Sequence, residues 1–149
     1  METIEIEQEV LIEAEPGRVF DALTTGVDAW WSNGKFKPNS TFHLEPRVGG
    51  KFSEHVGDAG EGSLFATVTL LKRDERLVLS GPMGVDRAVI GVVRFDLEAK
   101  DGATLVKLAH QMIGDVDEDT RTSYTQGWSV LRQNLKTFVE TGRGYRSEG

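Results

Sequence analysis

Near Asp115 the hydrophobic pattern changes its period, and that change fixes most of the architecture. Beyond it, Tyr124, Trp128, Leu131, Leu135 and Phe138 fall at spacings of four, three, four and three. One apolar stripe of this kind runs down a helix of about six turns. Asp117, Glu118 and Asp119 stand at its start, where carboxylates favour the positive end of the helix dipole, and Gly142 and Gly144 end it. Ahead of Asp115, β-branched and aromatic runs are separated by glycine or charged turns at short intervals, the mark of a strand meander.

The expected strands lie at 41–45, 51–56, 62–71, 76–80, 88–98 and 104–113. Asp101-Gly102 reads as a hairpin turn, which makes the last two strands neighbours. At the other end, Ile4, Ile6, Val10 and Ile12 alternate with glutamates across 3–14, a strand with one wet face. Pro16 suits a first helical turn, and Val19, Phe20 and Leu23 follow at helical spacing to about Thr24. Val27–Trp31 suggests a second short helix, closed by Asn33-Gly34. Hairpin-linked strands segregated from helices give an α+β domain rather than a doubly wound parallel sheet. A twisted antiparallel sheet of six or seven strands would curve around the C-terminal helix, with the two short helices closing one end and a cavity between sheet and helix as the by-product.

A length of 149 residues predicts one domain over 1–149, with an ordered core of about 3–141. The apolar share of 38% and charged share of 28% need no staple to explain stability, and the absence of cysteine excludes disulfides and thiolate chemistry. A net charge of −7 argues against nucleic acid as a partner. Acidic and apolar residues alternate over Met1–Val10, unlike a signal peptide, and no apolar run is long enough for a bilayer, so a cytoplasmic location without membrane contact is expected.

Val19-Phe20-Asp21-Ala22-Leu23-Thr24, Trp30-Trp31, Val48-Gly49-Gly50-Lys51-Phe52, Arg76-Leu77-Val78-Leu79 and Gly127-Trp128 with Leu131 and Leu135 occur in that order. In order and spacing the chain resembles the bacterial proteins named for the activator of Hsp90 ATPase, within the START and Bet v 1-like (SRPBCC) superfamily. The resemblance runs from about Thr3 to Thr141. It implies a helix-grip fold with a deep pocket between sheet and C-terminal helix, where relatives hold lipids, sterols, polyketides or plant hormones. Some relatives are cyclases or dehydratases. The eukaryotic cochaperone that gives the family its name carries an additional large N-terminal domain contributing to Hsp90 binding, for which these residues leave no room.

His110 shares a strand face with Val106, Leu108 and Met112. Facing a cavity, its imidazole could orient a ligand or act as a base; a core histidine hydrogen-bonded to backbone or water is the plainer reading. Trp30 and Trp31 are adjacent, so one ring is expected inward and the other over a pocket mouth. Tyr124, Trp128 and Leu131 present the helix stripe to the sheet, where core and pocket lining are nearly one surface. Phe65, Phe95, Leu97 and Met112 complete the expected lining. Arg94 and Asp96 share the opposite strand face and are expected to be solvated, and Asp86 and Arg87 sit in a loop that could border an entrance. His43 and His55 lie on separate strands without metal-ligand spacing, so no metal is expected, and no cofactor fingerprint stands out. Neither a Ser/His/Asp set nor a close carboxylate pair marks a reaction.

These readings favour a binder of a small hydrophobic or amphipathic molecule over a catalyst. An enzyme of the polyketide cyclase or dehydratase kind, using polar groups such as His110, is the alternative. A chaperone partner or stress-response role follows from the resemblance alone, and the free sheet edges admit a homodimer.

Overall fold

The structure, a computed structural model, describes residues 2–148. Strand β1 (Glu2–Ile12) leads into helix α1 (Pro16–Leu23) and a 3-10 turn at Val27–Ala29. Six strands follow: β2 (Thr41–Leu44), β3 (Lys51–Val56), β4 (Glu61–Lys72), β5 (Arg76–Ser80), β6 (Val89–Lys100) and β7 (Ala103–Gly114). Helix α2 (Glu118–Thr141) completes the main frame. All seven strands join one antiparallel sheet in the order β1-β7-β6-β5-β4-β3-β2. The first strand therefore pairs with the last, and β1 and β2 are the edges.

The alternating pattern resolves as the sequence predicts. In β6, Gly91, Val93, Phe95 and Leu97 are buried, while Val92 and Arg94 face solvent. Arg94 and Asp96 form an ion pair at 3.2 Å on the outer face, joined by Arg76. Asp101 and Gly102 both take positive φ, 50° and 86°, as a two-residue hairpin of the primed type requires. Register shifts at Phe52/Ser53 and between Val68 and Leu70 help bend the sheet. Ala14, expected inside the first strand, lies past its end. Its carbonyl accepts from the Thr104 hydroxyl at 2.7 Å, turning the chain into α1.

The C-terminal end of α1 and both ends of α2 are satisfied, while α1 begins at Pro16 without a side-chain cap. The carbonyl of Phe20 accepts from the Thr24 amide and hydroxyl, that of Asp21 from the Gly26 amide, and that of Ala22 from the Trp30 indole at 2.7 Å. At the start of α2, Asp117 accepts from the Thr120 amide at 2.9 Å while the Thr120 hydroxyl reaches back to the Asp117 amide, a capping box. Gly142 closes the helix at φ 77°, its amide donating to Phe138. Trp128, Leu131, Leu135 and Val139 form the buried stripe, which lies on the concave face of the sheet. Fully burying one such side chain contributes about 1.5–3 kcal/mol, so this stripe, more than helix propensity, holds α2 in place.

Candidate functional site

Aromatic side chains occupy the centre of the space between sheet and helix. Trp31 lies within 6.2 Å, ring centre to ring centre, of Trp30, Phe42, Phe52, Phe65 and Trp128, mostly edge to face. Such contacts add about 0.5–1.5 kcal/mol each beyond area burial. Both adjacent tryptophans are buried, contrary to the expectation of one inward ring and one lid. The 3-10 turn ends at Trp30 with non-helical backbone, so the two rings diverge within the core: Trp30 runs beneath α1 to the Ala22 carbonyl, and Trp31 runs between β3, β4 and α2. The deep central pocket implied by the family resemblance is thus filled. Behind Trp30, Phe95 and Trp128 only a void of about 10 Å³ remains, the space of roughly one water.

The open space has moved to one end. A cavity of about 350 Å³ is bounded by Trp31, Asn33, Gly34 and Lys35 from the segment after the 3-10 turn, Phe65 of β4, and Met83 and Gly84 from the loop after β5. Its fourth wall is α2, through Ser123, Tyr124, Gly127, Trp128 and Leu131. Of the lining expected from the sequence, the structure brings Trp31, Phe65, Tyr124, Trp128 and Leu131 together here. Trp30 and Phe95 border only the small void, and Leu97, His110 and Met112 are core residues that touch neither space. Depressions of similar or greater size on the outer sheet face are lined by charged residues such as Glu9, Arg94, Asp96 and Lys107 and lack an aromatic wall.

The wall formed by Asn33, Gly34 and Lys35 depends on Glu54, which is 1% exposed. Its carboxylate accepts from the amides of Lys35 at 2.9 Å and Phe36 at 3.0 Å and from the Ser40 hydroxyl at 2.5 Å. Gly34 fits against it closely; a β-carbon there would stand 2.3 Å from the carboxylate. Glu54 shares parity with buried Phe52, so strand alternation already placed this carboxylate inside, where it needs partners. The opposite wall is fixed by Tyr124, whose hydroxyl donates to the Met83 carbonyl at 2.7 Å; burial pushes its pKa up to about 12, so it remains a donor. Asp86 in the same loop faces Lys35 across the mouth at 3.7 Å, and Arg87 ties the loop to α2 through Thr120 and the Asp115 carbonyl.

His110 is 0% exposed, and its Nδ1 accepts from the Trp128 indole at 2.9 Å, which leaves the proton of the neutral ring on Nε2. Burial lowers its pKa to about 4. Held neutral and outside the cavity, it is a core histidine, and the cyclase reading that relied on it for proton transfer loses its acid–base group. His43 and His55 lie on the outer face, hydrogen-bonded to Thr41 and Ser53. Among the described residues there is no cluster of three or more metal-ligating side chains. No helix there is long and apolar enough to cross a membrane.

Solved structures with the same fold place this geometry in context. The Aha1 dimer from Colwellia psychrerythraea is 23% identical at a TM-score of 0.71, covering 95% of this chain and 99% of that one. A conserved protein of unknown function from Enterococcus faecalis, EF2215, is 23% identical at 0.70, covering 94% and 73% respectively. Ara h 8.0201 is 15% identical at 0.64, covering 93% and 98%. At these identities the likeness shows the fold alone, a helix-grip arrangement of a seven-stranded antiparallel sheet around a long C-terminal helix. No curated protein matches the sequence. The family model described as Activator of Hsp90 ATPase homolog 1-like protein matches residues 13–140, and the chain belongs to that family.

Proposed function

We propose that this protein binds a small hydrophobic or amphipathic molecule in the cavity at the open end of the sheet–helix interface. The observation that carries the reading is the cavity's composition: aromatic and aliphatic walls from Trp31, Phe65, Trp128 and Leu131, with a few polar groups at the rim. Small-molecule sites are largely apolar and preformed, and about 350 Å³ falls at the lower end of their usual range of roughly 300–1,000 Å³. The filled centre argues against a long lipid or a sterol lying along the helix. The titratable groups lining the cavity are Tyr124, whose hydroxyl is committed to the Met83 carbonyl, and Lys35, which faces Asp86 at the mouth, and binding rather than turnover is the function proposed.

Native mass spectrometry of protein purified from its own host, followed by extraction of any bound molecule, tests this. Gly127 lines the cavity from α2, and a β-carbon there would come within 2.8 Å of the Asn33 amide. Gly127→Val therefore narrows the space. A stoichiometric small molecule carried by the wild type and absent from Gly127→Val supports the proposal. A clean apo mass, with no binding of apolar probes by either protein, overturns it.

Self-association is a second reading, favoured by an exposed apolar strip on the outer sheet face. Ile90, 74% exposed, stands directly opposite Ile113, with Val92 further along the same face of β6. The Colwellia psychrerythraea relative is described as a dimer. Sedimentation of the wild type and of Ile113→Lys decides the matter: a dimer dispersed by the lysine supports it, and a monomer at all concentrations removes it.

A further inference from the structure

The aromatic donors around the cavity are all committed within the protein. The Trp31 indole donates to the Asn33 carbonyl at 3.1 Å, the Trp128 indole to His110, and the Tyr124 hydroxyl to Met83. The polar side chains left at the rim are Asn33, Lys35 and Ser123. Among the described residues that line the cavity, Lys35 is the sole charged group, and no carboxylate lines it, although the chain as a whole carries −7. That lining runs against the protein's own charge; at the mouth the one cation is met by the Asp86 carboxylate, so the rim becomes cationic when that partner is displaced.

Lys35 is held in place from below and weakly engaged from above. Its amide is fixed by buried Glu54 at 2.9 Å, so the backbone that carries it is set. Its ammonium meets Asp86 at 3.7 Å, longer than a direct hydrogen bond, and the Asp86 side chain is 81% exposed. An exposed pair of this kind contributes little, so a ligand anion arriving with better geometry displaces the carboxylate at small cost.

We infer that the ligand class is a small amphipathic anion, with an apolar body against Trp31, Phe65 and Trp128 and one carboxylate- or sulfonate-like head taken by Lys35 in place of Asp86. The inference rests on the binding function proposed above and adds the charge of the ligand to it. Lys35 supplies the charge-assisted hydrogen bond, and Asn33 and Ser123 are the neutral groups beside it.

Two fluorescent probes sharing one aryl frame test the charge separately from the cavity: anionic 1-anilinonaphthalene-8-sulfonate and neutral N-phenyl-1-naphthylamine. Each is titrated into the wild type, Lys35→Gln and Asp86→Asn, with circular dichroism confirming that each variant is folded. Lys35→Gln is expected to weaken the anionic probe roughly three- to tenfold while leaving the neutral one within about twofold. Asp86→Asn, which frees the ammonium, is expected to tighten the anionic probe about two- to fivefold. Both rim positions are exposed, so the variants fold. Equal changes for the two probes, or none, overturn the anionic assignment and leave the cavity reading standing. Failure of both probes to bind the wild type removes the cavity reading and this inference with it, whereas binding of the neutral probe alone overturns only the anionic assignment.

Discussion

Replacing Glu54 by glutamine keeps the shape of the side chain and removes one acceptor. In the native protein one carboxylate oxygen accepts from the Lys35 amide, and the other accepts from the Phe36 amide and the Ser40 hydroxyl. An amide side chain offers one oxygen and one NH2, so whichever way it lies, a backbone N–H of Lys35 or Phe36 faces another donor. The serine hydroxyl can rotate to accept; a backbone amide cannot. Leaving a buried N–H unsatisfied costs about 1–3 kcal/mol, and the surviving bonds lose the strength that a charged acceptor gives them. The expected loss is therefore roughly 2–4 kcal/mol, a large share of a small domain's total stability. Urea unfolding followed by tryptophan fluorescence measures it, because Trp31 sits beside the affected segment. Hydrogen exchange at the Lys35 and Phe36 amides should accelerate beyond the global change, and probe affinity should fall as the cavity wall loosens. A loss below about 0.5 kcal/mol, with both amides still protected, would show that the carboxylate does not hold this segment, and the account of the wall would be wrong.

His110 predicts a pH dependence with a definite sign. Its folded pKa of about 4 lies below the ordinary 6.5, so as pH falls through 6.5 the unfolded chain takes up a proton that the folded one refuses, and stability declines until about pH 4. The loss between pH 7 and pH 5 should be about 2 kcal/mol. Asp117, held below its ordinary 3.8 by the Thr120 amide, loses its contribution only at lower pH, so the two windows separate. Denaturation of His110→Gln at a series of pH values should show a flatter profile from 6.5 to 4, with His43→Gln as the control; an unchanged slope refutes the assignment. Gly62→Ala should cost more than about 2 kcal/mol, since φ there is 154° and a β-carbon would stand 1.9 Å from the Glu54 carbonyl; a thermal melt near wild type contradicts this. Gly127→Ala has the opposite expectation, a gain of roughly 0.5–1 kcal/mol from helix propensity if the Asn33 side chain swings aside, and a net loss in calorimetry would show that it cannot.

The fold was legible because its elements have different periods. Alternation across 89–100 and 103–114 and the four-three spacing from Tyr124 leave little choice of element, and Asp101-Gly102 fixes which strands are neighbours. The boundaries that slipped, such as Ala14, depend on a single long-range bond from Thr104 that no local pattern reports. The residues missed at the cavity lie mostly in connections. Asn33, Gly34, Lys35, Met83 and Gly84 have no period to betray their facing, and their placement follows from contacts with Glu54 and Tyr124, distant in sequence. Ser123 and Gly127 are different. They precede Tyr124 and Trp128 by one position, so they flank the apolar stripe, and small residues beside a buried stripe are a signal of open space that the helical wheel does carry.

Parity assigns a side chain to the concave face but says nothing about what lies above it. Phe65, Leu97, His110 and Met112 all point inward, yet only Phe65 reaches open space. The difference is set by the crowd around Trp31. Two tryptophans entering from the same turn, with Phe42 from the edge strand β2 and Phe52 from its neighbour β3, occupy the volume that a helix-grip fold leaves between sheet and helix. What remains is the end where α2 carries serine and glycine and where the two loops approach one another across Lys35 and Asp86. The size of the cavity is therefore a consequence of the aromatic core, whereas its charge is a property of the loops. A truncation such as Trp31→Ala would enlarge the space without changing the rim, and should admit bulkier probes while keeping the preference that Lys35 confers.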